Sequence, residues 1–175
     1  SGGIDIELVK RATMSIIHLV PRYRQRLFEI PVFNHAVWVD DAHFDIDYHI
    51  RHTSLPKPGT LAQLKNLVAR VMAQPLDRNR PLWEYWFVEG VGGGDQFAMI
   101  TKIHHCMIDG SSGVDLANIQ FSTSPIPPEL RDPERFHPRP APRRLELFLD
   151  ESKRQAGIPL EVVRDFRQFV ADADD

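Results

Sequence analysis

Two adjacent histidines, His104 and His105, precede an Asp109-Gly110 pair within K-I-H-H-C-M-I-D-G-S-S-G, residues 102–113. A histidine at the end of a strand can offer one ring nitrogen to a substrate while the other bonds to the backbone. Its proton exchange lies near neutrality, which suits a general base. A carboxylate four residues after His105 can orient an imidazole or pin the loop by pairing with an arginine. Gly110 permits a sharp turn directly after Asp109. The opposing reading is that a histidine beside an apolar run is a satisfied core residue, and spacing by itself does not separate the two.

Two other chemistries fit less well. Neighbours on a strand point to opposite faces, so His104 and His105 could not both hold one ion, and no metal is expected. Cys106 invites a thiol nucleophile, but adjacent extended residues do not place a base and a thiol on the same side. Cys106 is expected to be a small core residue.

The pair must be positioned by the elements around it. The segments P-L-W-E-Y-W-F-V-E and Q-F-A-M-I-T-K-I-H-H read as two strands joined by the glycine-rich G-V-G-G-G-D, a hairpin with the histidines at its far end. Residues 4–20 have the apolar recurrence of a helix that Pro21 should end. The alternate arginines Arg22, Arg24 and Arg26 would share one side of an extended segment. H-A-V-W-V-D reads as a strand, and so does F-D-I-D-Y-H-I-R-H-T, by its strict alternation. Residues 60–73 form an amphipathic helix with Thr60 as N-cap and a stripe of Leu61, Leu64, Leu67, Val68, Val71 and Met72. A further helix is expected after Gly110. Residues 124–142 are dense in proline and read as a linker, followed by helical patterns at 143–156 and 159–171.

Composition narrows the class. The chain has 175 residues, 42% hydrophobic and 26% charged, enough for one domain with a core. A net charge of -3 gives no basic footprint for nucleic acid. One cysteine excludes an internal disulfide and fits a reducing compartment. No run of 18 apolar residues spans a membrane, and the opening S-G-G-I-D-I-E has no signal-peptide pattern, so the cytoplasm is the expected compartment.

H-H-C-M-I-D-G resembles the His-His-x-x-x-Asp-Gly motif of the CoA-dependent acyltransferase superfamily, which includes peptide-synthetase condensation domains. Pro81-Leu82-Trp83-Glu84, within L-D-R-N-R-P-L-W-E-Y-W-F-V-E-G, resembles an element of the bacterial wax ester synthase/diacylglycerol acyltransferase family. So do H-L-V-P-R-Y-R-Q-R-L, D-D-A-H-F-D-I-D-Y-H-I-R-H and L-P-K-P-G-T-L-A-Q-L, in the same order, over residues 5 to about 122.

That resemblance implies an α/β, layered chloramphenicol-acetyltransferase-like fold, of which this chain carries the N-terminal subdomain. Residues 4–123 would be that subdomain, 124–142 the linker, and 143–175 a helical segment leading to a second subdomain. A further first strand would precede Ile4, and the active site would lie between the two halves. The resemblance implies acyl transfer from acyl-CoA to a fatty alcohol or diacylglycerol, with no covalent intermediate and no cofactor. His105 would be the general base, His104 a secondary positioning group, and Asp109 a structural residue paired with Arg24 or Arg80. Gly110 would allow the turn. Partners would be the C-terminal half of the same enzyme and, transiently, a membrane or lipid-droplet surface. Pro81, Leu82, Trp83 and Glu84 are read chiefly as core, and the arginines of 22–26 chiefly as solvated surface, with a CoA phosphate as the alternative. Two other functions stay open: a non-catalytic lipid- or partner-binding half-domain, and a carrier-dependent condensation domain.

Overall fold

The computed structural model describes residues 3–30, 35–94, 96–107, 132 and 135–156. Asp109, Gly110, the expected helices after Gly110 and at 159–171, and most of the proline-rich stretch before residue 135 lie outside the described residues.

The helix α1 (Ile6–Ile16) begins where the Asp5 carboxylate accepts the Leu8 N–H at 3.0 Å. It ends earlier than expected. Ile17–Leu19 tighten into a 3-10 turn, and Pro21 opens a second one, Pro21–Arg24, rather than ending the helix itself. Proline is well suited to that first position, because its missing N–H would have no partner there. The three arginines therefore do not share an extended face: Arg22 and Arg24 belong to the turn and only Arg26 to the strand β1 (Gln25–Ile30). Strand β1 pairs antiparallel with β2 (His35–Asp40), from Gln25 opposite Asp40 to Ile30 opposite His35.

Residues 44–53 correct the expectation of one alternating strand. Ile46–His49 form a helical turn, α2, and only Ile50–Ser54 form the strand β3. Asp45 decides this, since its side chain accepts the Asp47 N–H at 3.0 Å and caps the turn. The helix α3 (Leu61–Ala73) matches the expected span. Thr60 and Gln63 form a reciprocal capping box, the Gln63 side chain accepting the Thr60 N–H at 2.7 Å. Its expected stripe is narrower than the sequence implies. Val71 is buried and Leu64, Leu67 and Val68 are half-buried, but Leu61 and Met72 are exposed.

Strands β4 (Trp83–Val91) and β5 (Gln96–Ile103) form the expected hairpin, and β3 joins β4 in parallel to give the order β3-β4-β5. The period of two along β4 divides the core. Trp83, Tyr85 and Phe87 face one side, in a cluster with Ile17, Tyr23, Ile50 and Met107. Trp86 and Val88 face the other, packing with Leu55, Ile100 and the buried stripe of α3. The expected helix near 143–156 is present as α4 (Arg144–Ala156), and residues 135–142 before it have no regular structure. Arg139 grips Asp40 of β2 through its backbone N–H and two guanidinium bonds of 3.0–3.1 Å. That pairing holds the Asp40 carboxyl far below the usual carboxylate range.

Candidate active site

The ladder between β4 and β5 runs from Val88 opposite Ala98 to Trp83 opposite Ile103. It continues one step further, where the His104 N–H donates to the Leu82 carbonyl at 3.0 Å. The chain then leaves the sheet as a 3-10 turn, His105–Met107, closed by the Met107 N–H on the His104 carbonyl at 3.0 Å. Met107 is buried in the same cluster as Leu82 and Trp83, so the turn is anchored at both ends. His104, His105 and Cys106 stand between the anchors, all exposed.

Within the turn the two histidines differ. The Cys106 backbone N–H donates to Nδ1 of His104 at 3.2 Å. The His105 ring makes no hydrogen bond among the described residues. The expected strand geometry of the pair is thus replaced by a turn, since the β-ladder stops at Ile103. Cys106 is exposed rather than core, because the turn carries it outward while Met107 takes the buried place. Desolvation of its sulfur nevertheless raises the thiol above its ordinary value, which is the wrong direction for a thiolate nucleophile.

Pro81-Leu82-Trp83-Glu84 is core, as read from its composition, and it also carries the site. Leu82 and Trp83 are almost wholly enclosed. The Leu82 carbonyl holds His104, and the Trp83 carbonyl accepts Nδ1–H of His49 at 2.7 Å. The His49 ring stacks on Trp83 with centroids 4.4 Å apart, and Phe44 lies 5.2 Å away on a near-parallel plane. Trp83 donates its indole N–H to the Tyr23 carbonyl at 2.9 Å, and the Tyr23 and Tyr85 hydroxyls meet at 3.1 Å. Glu84 accepts the Trp86 indole N–H at 2.9 Å on the opposite face. Beside it, buried Lys102 donates to the Val71 and Gln74 carbonyls, putting a positive charge at the C-terminal end of α3.

His49 is the residue that sequence reasoning missed. Strict alternation along 44–53 would set His49 with Asp45 and Asp47 on the exposed side of a strand, yet it has no exposed surface. Burial lowers its pKa to about 4, so the ring is neutral at pH 7 and its proton sits on Nδ1. The signal was present in Asp45 and Asp47, whose spacing favours a capped turn over a strand.

The arginines are engaged with aromatic rings. Arg22 lies 4.3 Å over Trp38, Arg24 4.3 Å over Phe136, and Arg80 4.3 Å over Tyr48. Arg26 and Arg80 also line a cleft of about 370 Å³, but Asp41 and Asp77 line it too, so its charges balance. Among the described residues no three His, Cys, Asp or Glu side chains converge as metal ligands. No described helix is long and apolar enough to cross a membrane.

The layered α/β fold, with a histidine pair lifted off the end of its antiparallel hairpin, is that of the CoA-dependent acyltransferase class. A condensation domain of a calcium-dependent antibiotic synthetase shares the fold with a TM-score of 0.52 at 18% identity, over 68% of this chain and 28% of that one. The wax ester synthase/diacylglycerol acyltransferase from Marinobacter aquaeolei VT8 matches with a TM-score of 0.55 at 29% identity, covering 78% of this chain and 34% of that one. The model of the wax ester synthase/diacylglycerol acyltransferase catalytic domain matches residues 4–174, and the chain belongs to that family. A relative in Mycobacterium tuberculosis named "Probable diacyglycerol O-acyltransferase" is 37% identical over 127 residues, 72% of this chain and 46% of its own. Another of that name is 45% identical over 108 residues, 62% of this chain and 24% of its own. The chain therefore spans less than half of each of these relatives.

Proposed function

We propose that this chain supplies the histidine-bearing part of an O-acyltransferase that moves a fatty acyl group from acyl-CoA to a long-chain alcohol or diacylglycerol. The observation that carries this reading is the turn His105–Met107, anchored at both ends in the core, which holds His105 exposed and without a hydrogen bond among the described residues. A residue with a packing role would be buried, as Met107 is two positions further on, whereas His105 is exposed.

In this reading His105 accepts the proton of the acceptor hydroxyl as its oxygen attacks the thioester carbonyl carbon. The tetrahedral adduct then collapses, the carbon–sulfur bond breaks, and the CoA thiolate takes the proton back from His105. A thioester is already activated, so a base and two substrates held in register suffice, and a positioned base contributes about a hundredfold or more. No cofactor is required by this chemistry. Asp109 would be a structural residue paired with Arg24 or Arg80, and Gly110 would allow the tight turn after it. The wall facing His105 would come from the C-terminal half of the same enzyme, joined through the 124–142 linker. The acceptor lipid would be reached by transient docking of a cytoplasmic protein on a membrane or droplet surface.

The test is His105→Ala in the complete acyltransferase, assayed with labelled acyl-CoA and diacylglycerol or hexadecanol. Turnover should fall by about a hundredfold or more while the melting midpoint stays put, since truncating an exposed side chain costs within about 0.5 kcal/mol. Full turnover in the variant would leave the binding half-domain reading in its place. Activity only with carrier-protein thioesters, and none with acyl-CoA, would assign the chain to condensation chemistry.

A further inference from the structure

The backbone at Leu82 and Trp83 is held from both sides of the sheet. The Leu82 carbonyl points to β5 and accepts the His104 N–H at 3.0 Å. Successive carbonyls along a strand face opposite neighbours, so the Trp83 carbonyl points to the β3 side. Strand β3 does not reach that far. Its ladder with β4 begins only at Ile50 opposite Tyr85, because the residues before Ile50 are wound into α2. A buried carbonyl at that place needs a donor from elsewhere.

His49, the last residue of α2, supplies it. Its Nδ1–H donates to the Trp83 carbonyl at 2.7 Å, where a longer β3 would have brought a backbone amide. Packing by itself does not call for histidine, since a phenylalanine could stack on Trp83 and Phe44 in the same way. Histidine carries a cost there: its Nε2 is buried and has no hydrogen-bond partner among the described residues. What the imidazole adds over a phenyl ring is the one bond to Trp83. We propose that His49 is a positioning residue for the acyl transfer: through the Trp83 carbonyl it fixes the backbone whose preceding carbonyl carries His104, and so sets where the His105–Met107 turn presents His105. The consequence for turnover rests on the acyl-transfer reading, whereas the clamp on the backbone rests on the geometry alone.

Two replacements separate the ring from its bond. His49→Phe keeps an aromatic ring against Trp83 and loses the donor, while His49→Asn loses the ring and keeps an N–H at the place of Nδ1. Both are assayed in the complete acyltransferase, with labelled acyl-CoA and diacylglycerol, at a temperature where each is fully folded. His49→Phe should lower kcat by about tenfold or more, with a smaller change in KM, through misplacement of His105. His49→Asn should recover most of that loss, although it gives up the stack. A phenylalanine variant with the parental kcat would overturn the proposal, and so would an asparagine variant as slow as the phenylalanine one.

Amide hydrogen exchange in the same proteins reads the clamp without turnover. His49→Phe should speed exchange at the His104 amide by about tenfold, while Phe87 and Val88 in the middle of β4 keep their parental rates. Equal acceleration at all three would show general loosening and refute a positioning role. Lost protection at His104 in a protein that transfers no acyl group would sink the acyl-transfer reading, whereas unchanged protection in an active one would sink the proposal. The parental protein adds a reading that needs no variant to fold. Its long-range proton–nitrogen correlation spectra at neutral pH should show the His49 ring protonated on Nδ1 and bare on Nε2, and the reverse tautomer would remove the clamp.

Discussion

The stack around Trp83 and the turn after Ile103 each hold histidine, with opposite results. His49 is enclosed by Phe44, Tyr48 and Trp83, donates to a carbonyl, and is held neutral by its surroundings. His105, at the end of a neighbouring strand, is exposed and has no hydrogen bond among the described residues. The two regions are joined through consecutive carbonyls, Leu82 to His104 and Trp83 to His49. The difference teaches that residue type gives a capacity and burial decides its use: the same imidazole is structural where desolvation prevents charging, and open to solvent where a turn carries it out of the sheet.

The comparison breaks most sharply at the buried end. Trp83→Ala should destabilise the fold by about 3–5 kcal/mol, the usual cost of deleting a fully buried tryptophan, and denaturant titration measures it. The same deletion at His105 should leave stability unchanged. A Trp83 effect below about 1 kcal/mol would mean that the stack does not support the turn.

Titration comes next in size. The unfolded chain protonates His49 near its ordinary value of 6.5, whereas burial holds the folded pKa at about 4. Between those values only the unfolded state takes up the proton, so stability falls as the pH is lowered from 6.5 to 4. The total loss from this residue is about 3 kcal/mol, and it levels off below pH 4. Folding free energies across that window should lose this one-proton slope in His49→Asn, whose amide can still donate to the Trp83 carbonyl. A slope unchanged by the substitution would show that other groups carry the pH dependence.

The smallest effect tests the opposite face. Lys102→Met keeps the apolar stem but removes the ammonium from the Val71 and Gln74 carbonyls, and should cost about 1–2 kcal/mol. Thermal melting checks this. A neutral or stabilising outcome would mean that burying the charge costs as much as its two bonds return.

Much of this arrangement is legible along the chain. The β4–β5 hairpin follows from alternation and its glycines, and α3 from its period and the Thr60 cap, because those signals are local and agree with one another. The histidine pair at the end of β5 follows in the same way. The family follows from the His-His-x-x-x-Asp-Gly and Pro-Leu-Trp-Glu elements together, and the match over residues 4–174 bears it out. Residues 44–53 are where alternation misleads, because a two-residue Asp45 cap outweighs a period that strand and turn share over so short a span. Cys106 was misplaced for a related reason: a strand carried on past Ile103 would have buried it.

What the sequence determined by itself is therefore the set of elements, the core strip of β4 and the chemistry that the histidine pair could perform, since these depend on periodicity and residue type. Only the tertiary structure decided which histidine is sealed and which is offered. That choice depends on contacts between residues far apart in the chain, Trp83 with His49 and Tyr23, Leu82 with His104, which no local pattern specifies. Desolvation and hydrogen-bond geometry, set by those contacts, then keep the His49 ring neutral with its proton on Nδ1 and leave His105 exposed.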